Sequence, residues 1–284
     1  MTDMTVSFLF IVLILLAFFA TQVAPQEKDQ VVPRTIHDAA LDQLAERQRE
    51  IVLLKNEVER LRRLVPQSTD TNPIETYNTN VAASRGKLLR EIKSKIESQD
   101  LNIEVTVSRD MDALQFKGNG LFAVSSSEPS SVGREQIIEV AKILIDELRC
   151  YTLGLGSAVE GSCNPDLALI DSLQIEGHTD SQGTDIFNMD LSTKRGDQVF
   201  EILVQAQPDL LAFDNLHAQP ILSVAGYGKG RPIADNETAE GRDNNRRIDL
   251  RFIMFSPVSE EMIPHDVADI GRIQDIFDRG RASQ

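Results

Sequence analysis

The sequence predicts an α/β fold over about residues 86 to 257, a sandwich with helices on one face of a mixed sheet. Two observations carry this expectation. Stretches that alternate polar and apolar residues, such as "NIEVTVSRDMDALQF" and "RRIDLRFIMF", interleave with stretches of helical period, such as "REQIIEVAKILIDELR". They fall within one continuous region, as in a sheet covered by helices, with a glycine turn at "KGNG". One candidate membrane helix and one candidate coiled coil precede this domain.

The first element is "MTVSFLFIVLILLAFFA", Met4 to Ala20, which is uncharged and approaches the roughly 20 apolar residues that cross a bilayer. A secretory signal would open on a positive region and close on a small-x-small cleavage site, but Met1-Thr2-Asp3 offers no Lys or Arg. Residues 1–24 are therefore read as a short tail and an uncleaved single span. Lys28 and Arg34 follow it, and their charge by itself would hold that flank in the cytoplasm, whereas the later domain points outward. Residues 25–35 form a Pro-broken polar linker. Over residues 36–65, Ala40, Leu44, Ile51, Leu54, Val58, Leu61 and Val65 recur three and four apart, with Arg47 interrupting. That seam predicts a coiled coil, hence a homodimer; one amphipathic helix lying on its own domain has the same spacing, and the neighbouring span favours the coil.

Pro66 ends the seam, and residues 66–85, rich in Ser, Thr, Asn and Pro, read as a second linker. Within 86–257 the expected order is a helix at "SRGKLLREIKSKIES", one strand at "NIEVTVSRDMDALQF", the "KGNG" turn and the helix "REQIIEVAKILIDELR". A strand at "LALIDSLQIEGHTD", a helix at "LSTKRGDQVFEILVQ" with Ser192 as N-cap, and strands at "ILSVAGYG" and "RRIDLRFIMF" complete it. Residues 258–284 are set apart as a tail with one amphipathic stretch, "DVADIGRIQDIFDRG".

Composition narrows the function. A formal charge of −15 and the lack of Trp argue against a nucleic-acid partner, since phosphate binding needs clustered Lys and Arg. Cys150 and Cys163 flank "YTLGLGSAVEGS". In an oxidising compartment they close a short loop as a disulfide; two unrelated thiols are the other reading. No CxxC or close Cys/His pair suggests zinc, and no nucleophile–base pair suggests an enzyme.

The motif "GHTDSQGTDIFNMDLSTKRGDQV", followed by "GYGKGRPIADNETAEGRDNNRRIDL", resembles the peptidoglycan-binding domain shared by OmpA and the flagellar stator subunit MotB. "GNGLFAVSSSEPSSVGREQIIEVAKIL" resembles that family's strand-loop-helix entry, with Phe122 at its aromatic position. The resemblance implies the OmpA C-terminal-like sandwich, no cofactor, and a ligand in the diaminopimelate of the wall's stem peptide, which presents an amine and a carboxylate on one carbon. By that resemblance Asp180 takes the ammonium and Arg195 the carboxylate, for which a planar guanidinium offers two parallel hydrogen bonds. Arg195 is expected early in a helix starting at Ser192, where backbone N–H groups favour an anion. Thr179 and Asn188 supply neutral hydrogen bonds, and Gly177 and Gly183 let the backbone turn closely. Of Arg246 and Arg247, alternation on the last strand sends one to each face, so only one reaches the pocket and the other is solvated; Arg246 is assigned to the site. His178 is read as structural.

One apolar helix preceded by an Asp and followed by a helical linker is also the order of elements in MotB-like stator B subunits, and "TDMTVSFLFIVLILLAFF" looks like their span. The resemblance makes Asp3 the ion-carrying carboxylate for protons or sodium: desolvation at the edge of a span raises a carboxylate's pKa and lets it alternate between protonated and ionised forms. Family members carry a longer basic tail before this Asp, where two residues stand here. The implied setting is the bacterial inner membrane, with N-terminus cytoplasmic, C-terminal domain periplasmic, and a multi-span MotA-like partner. ZorB of Zorya anti-phage systems, with its ZorA partner, fits the same pattern. A passive tether between membrane and wall is the competing reading.

Overall fold

The computed structural model describes residues 43–44, 46–55, 72–99, 103–123 and 125–282. The chain divides into two units, Met1–Thr69 and Asp70–Gln284. In the first, residues 43–44 and 46–55 are helical, within the expected coiled coil, and the seam residues Leu44, Ile51 and Leu54 are exposed. Asp3 and the stretch from Met4 to Ala20 lie outside the described residues; among the described residues no helix is long and apolar enough to cross a membrane.

The first element described in the second unit is α1, Pro73–Ser98, which corrects the expected linker over residues 73–85; residues 66–71 lie outside the described residues. Asn72 caps it by accepting the N–H of Ile74 at 3.0 Å, and proline occupies the first turn, where its missing N–H costs nothing. Tyr77, Val81, Leu88, Leu89, Ile92 and Ile96 are buried in the core. Between residues 73 and 85 only Tyr77 and Val81 are buried, and the Thr and Asn residues around them hide the helical period. The expected tail is also part of the fold, for Met262, Ile263, Ile270 and Ile273 enter the same core.

The single strand expected at "NIEVTVSRDMDALQF" is a hairpin. Strands β1, Val105–Val107, and β2, Ala113–Lys117, pair antiparallel, and Ser108 Oγ closes the turn by accepting the N–H groups of Asp112 and Ala113. A single helical turn, α2 at Gly118–Leu121, replaces the "KGNG" turn. Helix α3, Ser131–Glu147, is capped by Ser130, whose side chain accepts from Gly133 N–H. Next come β3, Leu153–Gly154; β4, Ile170–Gly177; α4, Asp185–Ala206; β5, Phe213–Asp214; β6, Leu222–Gly226; α5, Ala239–Asn245; β7, Arg247–Met254; and α6, Asp269–Ala282. Cys150 and Cys163 form a disulfide across the loop carrying β3, their Cα atoms 6.1 Å apart.

The main sheet has the order β1-β2-β7-β4-β6, antiparallel except for the parallel β4–β6 pair. One face presents Leu114, Phe116, Leu173, Ile175, Ile248, Leu250 and Phe252 to α1, α3 and α4 and forms the core. The opposite face carries Gln115, Glu176, Asp249 and Arg251, so the alternation that defines the strands also separates an apolar layer from a polar one.

Because Ile92 is fully buried on α1, Ile92→Ala should cost about 2–5 kcal/mol in urea unfolding, whereas truncating an exposed residue of the same helix would cost almost nothing.

Candidate ligand-binding site

Helix α4 rests directly on the ends of β4 and β6. A Cβ on Gly177 would lie 1.9 Å from the carbonyl oxygen of Ser192, and one on Gly226 would lie 2.0 Å from Thr193 Oγ1, so neither strand end tolerates a side chain. Ser192 Oγ accepts the N–H of Gly228 at 2.9 Å, and the Thr179 N–H donates to Gly228 O at 2.9 Å. These bonds fix the segment 178–184 that joins β4 to α4.

Thr184 caps α4, its Oγ1 accepting from Phe187 N–H at 3.2 Å. The helix thus begins two turns before the expected N-cap, Ser192, which lies in its interior. Ile186, Phe187 and Met189 are exposed while the polar Asn188 is buried, an inversion of the usual pattern that hides the first turns. Arg195 is therefore remote from the free N–H groups of the helix end, and the expected help from them does not apply.

The structure gathers Thr179, Asp180, Asn188, Arg195 and Arg246 around this segment. Asp180 is buried; Oδ1 accepts from Gln182 N–H at 2.9 Å and Oδ2 pairs with the Arg246 guanidinium, which also meets Asp243. Asn188 braces the loop by donating to Gln182 O at 2.7 Å, and Gly183 turns it at φ +89°. Arg195 is 3% exposed; its Nε donates to Ser126 O at 2.9 Å, its Nη2 to Ala123 O at 3.3 Å, and the Phe122 ring lies 5.1 Å away. Among the described residues it has no carboxylate within salt-bridge distance. Burial, with the like charge of Arg246 nearby, pushes its pKa down to about 10 against the pull of Asp180. Thr179 Oγ1 is buried and has no hydrogen-bond partner among the described residues. Sequence reasoning missed the two carbonyls that hold Arg195, although Phe122 beside them was visible as the family's aromatic.

Arg246 reaches the site from the end of α5, one residue before β7. Arg247 is not solvated, as alternation suggested, but 4% exposed on the polar face of the sheet, where its Nε bonds Asp249 at 3.0 and 3.1 Å. Glu176 and Asp249 stand directly opposite each other there, a like-charge pair that destabilises a sheet unless compensated. Arg251 Nε donates to Glu176 Oε1 at 2.6 Å and His178 Nε2 lies 3.4 Å from both carboxylates, while the ring of Tyr227 stacks on His178. Glu176, His178 and Asp249 bring donor atoms within 4.8 Å of one another, as metal ligands would. Both carboxylates are already engaged by guanidiniums, however, and a divalent ion would be buried beside two fixed positive charges. The group is a structural ion cluster.

Residues 164–246 match the OmpA family. This part of the chain is similar to that family. The OmpA-family segment ends at Arg246 and contains all five residues of the site, but not Phe122 or the helices α1 and α3. Outer membrane porin F of Pseudomonas aeruginosa is 44% identical over 78 residues, 28% of this chain and 20% of the porin. The outer-membrane lipoprotein YfiB of the same organism is 37% identical over 79 residues, 28% of this chain and 42% of YfiB. The chain thus spans less than half of either relative. The periplasmic domain of Helicobacter pylori MotB superposes with a TM-score of 0.37 at 20% identity, covering 62% of this chain and 98% of that one.

Burial raises the carboxyl pKa of Glu176 and Asp249, but His178 with Arg251 for the first, and His178 with Arg247 for the second, outweigh it and hold both below their ordinary values of 4.5 and 3.8. A depressed carboxylate stabilises the fold above its unfolded pKa and loses that contribution as pH falls. The melting temperature should therefore hold down to about pH 5 and drop below those values. Glu176→Gln should flatten that acid slope while costing about 3–5 kcal/mol near neutrality, as expected for breaking a buried pair.

Proposed function

We propose that this chain anchors to peptidoglycan through the pocket around Asp180 and Arg195, and that it is the MotB-like B subunit of an inner-membrane, ion-driven motor, in motility or Zorya-type defence. The observation that carries the anchoring is Arg195: buried, its charged form disfavoured by that burial, and without a carboxylate of its own among the described residues, it is suited to a ligand carboxylate. Asp180 beside it offers an acceptor for the ligand's ammonium, and the free Thr179 Oγ1 supplies a further hydrogen bond. Diaminopimelate carries both charges on one carbon, and the similarity of residues 164–246 to the OmpA family supports that ligand.

The motor reading is supported by the sequence ahead of the domain: Asp3, the apolar stretch Met4 to Ala20 and the seam of residues 36–65. In this reading two copies pair through span and coil within a multi-span MotA- or ZorA-like partner, the domain lies in the periplasm, and protons or sodium cross at Asp3.

Asp180→Ala and Arg195→Ala should each remove most co-sedimentation with purified peptidoglycan while circular dichroism shows a folded domain; unchanged sedimentation refutes the pocket. Asp3→Asn should abolish the biological output with wall binding intact. Output retained by Asp3→Asn leaves the passive tether between membrane and wall as the function.

A further inference from the structure

Two asparagine side chains link the loop after β6 to the loop that carries Asp180. Asn245, fully buried at the end of α5, accepts the N–H groups of Ile233 at 2.8 Å and Ala234 at 3.0 Å through Oδ1. Its Nδ2 donates to Ala234 O and to Asn236 Oδ1, both at 2.9 Å. That same Asn236 oxygen accepts the N–H of Ser181 at 3.1 Å, on the residue that follows Asp180. The backbone of Asn236 is held in turn, because the Arg242 guanidinium donates to the carbonyls of Asn236 at 2.7 Å and Glu237 at 3.0 Å.

We propose that Asn236 is the positioning residue for Asp180, oriented by Asn245, and that ligand affinity depends on it although the ligand does not touch it. The inference rests on the wall-binding reading above. Asp180 Oδ2 is paired with Arg246, and an incoming ammonium competes for that carboxylate. The bond from Ser181 N–H to Asn236 involves neither the carboxylate nor the ligand, so it keeps the loop in place while the charges are exchanged. A single oxygen accepting two N–H groups makes the side chain specific: an aspartate preserves both contacts, and alanine loses both.

The test titrates the full chain in detergent with a soluble muropeptide carrying diaminopimelate, by calorimetry, well below the melting temperature of each variant. Asn236→Ala should bind about 10-fold more weakly, the scale of one lost hydrogen bond, and Asn236→Asp should stay within about 3-fold of the unaltered chain. If the alanine variant does not fold, Asn236→Ser, whose shorter hydroxyl cannot span both contacts, takes its place with the same expected loss. The proposal is overturned if the shortened variant binds as the unaltered chain does, or if Asn236→Asp is as weak as the shortened variant. Asp180→Ala separates the two levels. Binding lost with Asp180→Ala but kept with Asn236→Ala removes only the positioning role, whereas binding kept with Asp180→Ala removes the wall-binding reading and this inference with it.

Discussion

The structure depends on the absence of side chains between α4 and the ends of β4 and β6. Gly177 and Gly226 face each other on the parallel pair, and each meets the backbone or first side-chain atoms of α4 at a distance no Cβ could occupy. Helix and strands are thereby locked in one relative position, and the segment between them has no freedom to choose another path. Thr179 and Asp180 follow Gly177 after one intervening residue, His178, so the pocket inherits its geometry from a packing contact in which its own residues take no part. Ser192, deep within α4, completes the lock by taking up the N–H of Gly228.

A second constraint comes from the polar face of the sheet. Two carboxylates placed opposite each other, with two guanidiniums and an imidazole among them, make a buried ionic layer. Such a layer adds little net stability against a hydrophobic replacement, since desolvating each charge offsets its attraction to the others. It does restrict register: slipping β7 by one residue against β4 would put Asp249 among the aliphatic side chains and Leu250 among the charges. Tyr227, Arg231 and the loop beyond β6 close over this layer, with the Arg231 guanidinium 3.8 Å from the centroid of the Tyr227 ring. That loop then leads to Asn236 and the pocket.

Much of this was legible in the residues. Strands β4, β6 and β7 and helix α3 announce themselves through period alone, and all five site residues lie in the two motifs that carry the family resemblance. The misreadings have physical causes. The first turns of α1 and α4 bury few apolar side chains, and in α4 they bury an asparagine while exposing Ile186 and Phe187, so hydrophobic period fails where capping by Asn72 and Thr184 would have succeeded. The hairpin at Ser108–Asp112 was invisible because it contains no glycine, its turn being closed by a serine hydroxyl and by Met111 at φ 52°. Arg247 was sent to solvent because alternation specifies a face and not what covers it. The carbonyls that hold Arg195 come from a loop some seventy residues earlier, a pairing that no local pattern encodes.

The place of α1 in the core has a mechanical consequence. Tension entering the folded unit at Asn72 is received first by a helix whose buried side chains run from Tyr77 to Ile96 against α3 and the β1, β2 and β7 strands. Helix α4 and strand β6 occupy the other end of the sheet. In the wall-anchoring reading proposed above, a load passed through α1 would enter the fold on the β1–β2 side of the sheet and reach Arg195 and Arg246 only through α3 and β7.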